Sequence, residues 1–145
     1  MLLRKGMKIG KKINELVVGE RLQITEKIED KDLLLYLGLT NDSNPLYIQH
    51  DYAAETSYKK PIVPVIMLNG IITSTISKHM PGPGSHIREQ HLTYLEPVYH
   101  YETIEILFEV QQIDLNLNIV DIYVSAIKDK NVQVIEGIIK VLPPN

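Results

Sequence analysis

Residues 61–76 are the most apolar stretch of the chain, and they limit its fold more than any other feature. Ile62, Val63, Val65, Ile66, Met67, Leu68, Ile71, Ile72 and Ile76 leave almost no polar face. Pro64 suits a first helical turn, where its missing N–H is not needed. The pattern predicts a helix from about Pro64 to His79, stopped by Met80-Pro81-Gly82-Pro83-Gly84. The segment is too short, and too interrupted by Pro64, Asn69 and Gly70, to cross a bilayer. A helix apolar on nearly all sides must be covered all round. Gly70, Ser74 and Ser77 are small enough to let another backbone approach closely.

The flanking sequence supplies the cover. Leu22, Ile24 and Ile28 alternate as a strand over residues 21–28. Asp30 and Asp32 then precede Leu33, Leu34, Tyr36 and Leu37, as acids precede a helix running to about residue 39. Residues 41–45 are dense in turn formers, and Pro45 pushes Asn44 away from helical angles. A short helix is expected from Asp51 to Tyr58. Beyond the central helix come residues 86–98, 103–112, 117–128 and 132–142. The second alternates cleanly, with Ile104, Ile106, Phe108 and Val110 on one face. Long strands with short connections imply an antiparallel meander. The expected class is α+β: a curved antiparallel sheet wrapped around a long central helix, the hotdog arrangement. One such sheet leaves an edge and part of the helix open, so a dimer completes the burial.

The chain has 145 residues, which suits a single domain over 1–145, with a basic, loosely ordered arm at 1–15. Its net charge of -3 argues against nucleic acid or an anionic membrane as partner. The absence of cysteine removes disulfides, thiolate metal sites and cysteine nucleophiles. The N-terminal residues lack the apolar core of a signal peptide, and the protein reads as cytoplasmic. His79, His86, His91 and His100 show no metal-ligand spacing, so neither a metal nor another cofactor is expected. Gly82 and Gly84 follow no strand and precede no P-loop lysine. They read as a helix-stopping turn, not as a phosphate loop.

Asp42-Ser43-Asn44-Pro45-Leu46, followed by Pro61-Ile62-Val63, resembles the MaoC-like (R)-specific enoyl-CoA hydratases and dehydratases. The family pattern is an Asp-x-Asn-Pro-x-His turn, then Arg-Pro-Ile-Val-His-Gly at the entry to the central helix. The spacing between the blocks fits without a gap. The likeness continues through Pro81-Gly82-Pro83-Gly84-Ser85 and Thr93-Tyr94-Leu95-Glu96-Pro97-Val98. It implies a dimeric hotdog protein of fatty acid metabolism that adds water to, or removes it from, the C2–C3 bond of an acyl thioester. The thioester is carried by coenzyme A or acyl carrier protein. In the family, the Asp and His act on one water, and a backbone amide opening the central helix polarises the carbonyl.

Position by position, the resemblance makes Asp42 and Tyr47 the catalytic positions, with Tyr47 where the family has histidine. A tyrosine of pKa about 10, against about 6.5 for histidine, is handicapped as a base by roughly three to four units. Asn44, Val65 and Thr73 take the substrate-binding positions. Val65 keeps its amide but adds a side chain where the family has glycine, and Thr73 keeps a hydroxyl. His50, three residues after Tyr47, is a stand-in base if the two share a face, and otherwise an exposed residue at a helix start. Asp42 likewise has two readings: the catalytic acid, or an Asx-turn residue bonding local amides. The leading expectation is a hydratase-type protein with an altered site. A non-catalytic acyl-CoA-binding module or partner subunit is the first alternative. A thioesterase, with Asp42 activating water toward the carbonyl carbon, is the second.

Overall fold

A computed structural model describes residues 8–145. Residues 1–7 of the basic arm lie outside the described part. Gly10 and Lys11 donate backbone hydrogen bonds to the Pro83 and Pro81 carbonyls, both at 2.9 Å. A short 3-10 turn, Ile13–Glu15, follows.

Strand β1 (Arg21–Lys27) leads into helix α1 (Asp30–Thr40). Two short helices, α2 (Pro45–Ile48) and α3 (His50–Ala54), precede the long helix α4 (Val65–Lys78). Four strands complete the chain: β2 (His86–Tyr94), β3 (Thr103–Asp114), β4 (Ile119–Lys128) and β5 (Val132–Leu142). The five strands form one sheet in the order β1-β3-β4-β5-β2, antiparallel throughout. The expected meander is its centre, β3-β4-β5. Strand β2 stops at Tyr94, short of the expected residue 98; Pro97 has no N–H to offer a ladder.

The alternation read on β3 decides the core. Ile104, Ile106, Phe108 and Val110 are all buried, as are Val120, Ile122, Val124 and Ala126 on β4. Leu68, Ile72 and Ile76, on one stripe of α4, pack into the same cluster. The opposite face of α4 is not buried within one chain: Ile66 is 54% exposed. The single sheet therefore covers only part of a helix that the sequence marks as apolar all round. Helix α1 buries none of its residues, and Leu39 at its end is 85% exposed. Among the described residues, no helix is long and apolar enough to cross a membrane.

The helix expected over 51–58 is shorter, α3 (His50–Ala54), and α2 precedes it as a further, unexpected helix. Asn44 caps α2, its side chain accepting from the Leu46 N–H at 3.0 Å, with Pro45 in the first turn. Gln49 then takes extended angles and separates α2 from α3.

Strand β5 breaks period two. Its pairing slips between Ala126 and Ile127, so Val134 is an extra residue and both Val134 and Ile135 are buried. Gly137 then meets β2 at close range: a Cβ there would lie 1.9 Å from the His91 carbonyl oxygen. Gly137→Ala must push β2 off the sheet. Equilibrium urea unfolding should show a loss of about 1–3 kcal/mol, as for overpacked cores.

Candidate active site

The turn between α1 and α2 is built by its own side chains. Asn41 ends α1 in the left-handed region (φ 54°) and donates its N–H to the Leu37 carbonyl. Asp42 Oδ1 accepts the Asn44 N–H at 2.9 Å, which closes an Asx turn. Its Oδ2 accepts the Tyr36 hydroxyl at 2.5 Å. The Tyr36 hydroxyl, and then the Asn44 amide, hold the Asp42 carboxyl below the usual carboxylate range. The same hydrogen bond pushes the Tyr36 phenol up. Asp42 is thus an ionised acceptor engaged with its own turn, in the geometry of its structural reading. Asn44, expected at a substrate-binding position, directs its side-chain oxygen to its own helix.

Tyr47 and His50 do share a face. Both line a groove of about 550 Å³ between α1, α2–α3 and the β2–β3 connection. Leu33, Leu34 and Leu37 form its apolar wall, and Asp42 is not part of the lining. His50 is exposed at the start of α3, as its plainer reading has it.

Val65 opens α4, so its amide belongs to the first-turn donors that have no partner inside the helix. Thr73 lies on the flank of α4 toward β2. Its hydroxyl donates to Asn69 Oδ1 at 3.0 Å, and Asn69 Nδ2 donates to Gln90 Oε1 at 2.8 Å. Neither Val65 nor Thr73 lines the groove that holds Tyr47 and His50.

The far wall of the groove is the connection from β2 to β3, and it is held firmly. The Val63 N–H donates to the Val98 carbonyl, Ile28 to Glu102 and Tyr101 to Ile28. Lys60 and Lys128 stack over the Tyr99 ring at 4.8 and 5.1 Å. Lys128 also donates to the Pro97 carbonyl at 2.7 Å and reaches Glu102 at 3.2 Å. This wall carries His100, which spacing along the chain did not mark as functional. Its neighbours come from α1 and α3, far away in sequence, so no motif announces it.

A sheet in meander order, extended by outer strands at both edges and packed on a long helix, defines a hotdog-class α+β protein. The family model of the MaoC like domain matches residues 11–131, and the chain belongs to that family. It is 30% identical over 86 residues to an (R)-specific enoyl-CoA hydratase of Rhodospirillum rubrum, covering 59% of this chain and 60% of that protein. It is also 30% identical over 128 residues to the mitochondrial 3-hydroxyacyl-[acyl-carrier-protein] dehydratase FERN of Solanum lycopersicum, covering 86% and 75% of the two chains. Among solved structures it is similar to the unliganded R-hydratase PhaJ1 of Pseudomonas aeruginosa. That match has a TM-score of 0.84 at 27% identity and covers 94% of this chain and 87% of that one.

Replacing the phenol that bonds Asp42 tests the electrostatics of the turn. In Tyr36→Phe the Asp42 carboxyl should titrate at higher pH than in the unaltered protein, toward the ordinary carboxylate value, because the main hydrogen-bond donor to its anion is gone. Carboxyl-carbon NMR titration reads this directly, and an unmoved titration would remove Tyr36 as the cause.

Proposed function

We propose that this chain acts on acyl thioesters as a hydro-lyase of the (R)-specific enoyl-CoA hydratase type, working slowly because Tyr47 stands where a histidine is expected. The observation that carries the reading is the Asp42-x-Asn44-Pro45 turn of a MaoC-like chain placed beside an apolar groove into which Tyr47 projects. The groove's leucines suit an acyl chain. Relatives named for coenzyme A and for acyl carrier protein both support a thioester substrate, with the carrier left to experiment.

General acid–base catalysis is worth about 10²–10⁴-fold when the group's pKa lies near the working pH. Purified protein given a short trans-2-enoyl-CoA should therefore hydrate it slowly, and Tyr47→His should raise kcat by about tenfold or more. Binding of the thioester with no hydration, before and after that substitution, would leave a non-catalytic acyl-thioester-binding module in its place.

A homodimer is part of the proposal. Helix α1 has no buried residue despite Leu33, Leu34, Leu35, Leu37 and Leu39, Ile66 of α4 is open, and β2 is an unpaired sheet edge. A second copy covers such surfaces without new chemistry. Sedimentation should give twice the 16.5 kDa chain mass; a monomer at micromolar concentration would refute it.

A further inference from the structure

The wall opposite Tyr47 holds a group of side chains that the family pattern does not use. The His100 side chain is 12% exposed. Neither of its ring nitrogens has a hydrogen-bond partner among the described residues, and neither reaches solvent. The nearest acid is Asp30 of α1, whose Oδ1 lies 3.5 Å from His100 Nδ1, an ion-pair distance outside hydrogen-bond geometry. Asp30 Oδ2 accepts the Tyr101 hydroxyl at 2.8 Å. Tyr101, next in sequence to His100, is held in the left-handed region at φ 71°. That conformation is uncommon for a bulky residue. A buried imidazole without partners is unfavourable. The partnerless imidazole lines the groove, where a ligand can supply the hydrogen bond it lacks.

We propose that His100, oriented by Asp30, is the acid–base group of this groove. The proposal rests on the hydratase reading above and names the residue behind its slow activity while Tyr47 occupies the histidine position. In the hydration direction, His100 takes a proton from water as the water O–H bond breaks. The water oxygen bonds to C3 of the 2-enoyl thioester, and the C2–C3 π pair moves to C2 as the thioester enolate. The imidazolium then returns its proton to C2. The net change is addition of H and OH, with no oxidant or reductant. Leu33, Leu34 and Leu37 of α1 line the same groove as His100 and suit an acyl chain.

The electrostatics fit a base. Burial pushes the His100 imidazole down, the Asp30 carboxylate opposes this, and the nearby His50 adds to it, so His100 is neutral and able to accept a proton at pH 7. The titratable groups that share the groove with it are Asp30, Tyr47, His50, Lys60, Tyr99 and Tyr101.

The test compares the full-length protein with His100→Gln, Asp30→Asn and His50→Gln. It measures hydration of a short trans-2-enoyl-CoA and, by calorimetry, affinity for the saturated acyl-CoA. We expect His100→Gln to lower kcat by about 100-fold or more, with Kd within about threefold and the ascending limb of the kcat–pH profile lost. Asp30→Asn, at a site exposed enough to tolerate it, should keep the limb but move it to lower pH, since the carboxylate that favours imidazolium is gone. A merely structural role would lower both variants without moving the limb. His100→Gln retaining kcat within threefold overturns the proposal, as does loss of the limb in His50→Gln alone. Binding without hydration by the unaltered protein also overturns it. Absence of any acyl-CoA binding is a different result, because it removes the thioester reading and this proposal with it.

Discussion

The packing of one stripe of α4 on the sheet sets the rest of the molecule. Leu68, Ile72 and Ile76 bury into Ile104, Ile106, Phe108 and the facing residues of β4 and β5. That contact fixes the entry of α4, and the Val63–Val98 hydrogen bond ties the entry to the β2–β3 connection. Turn, groove and helix start are thus placed by backbone that cannot shift without opening the core. The groove sits outside this contact, where α1 leans on the body through polar side chains and partly buried leucines. A rigid core beside a helix with no buried residue suits the proposed acyl-chain site.

Within the site, two carboxylates have different situations. Asp42 accepts from a phenol and a backbone amide, so its charge is already stabilised and its proton affinity is low. A carboxylate in that state is a good turn former and a poor base. Asp30 lies close to a buried imidazole that has no other partner. The groove therefore places its unmet hydrogen-bonding capacity on the His100 side and not on the Asp42 side. Tyr47 lines the same groove as His100.

Much of this was legible in the sequence. The period-two face of β3, the acids opening α1, the proline at the start of α4 and the Pro-Gly turn after it are local signals, and local sterics and burial enforce them. The Asx turn at Asp42 was legible for the same reason, since its partners are two residues away. The bulge at Val134 was not, because an extra residue in a strand is defined by its partner strand. Nor was α2, which Gln49 in extended angles separates from α3.

By itself the sequence determined the fold class and the family. Binary pattern and motif spacing are properties of neighbours along the chain. Only the tertiary structure decided what faces what. Tyr47 and His50 look into a groove that Asp42 does not line, and His100 meets Asp30 across 70 residues. Such a meeting depends on how α1 lies over the β2–β3 connection, and no periodicity in either segment encodes it. The open face of α4 follows from the same limit: the sequence marks the helix as apolar all round, while one sheet can cover only the stripe it touches.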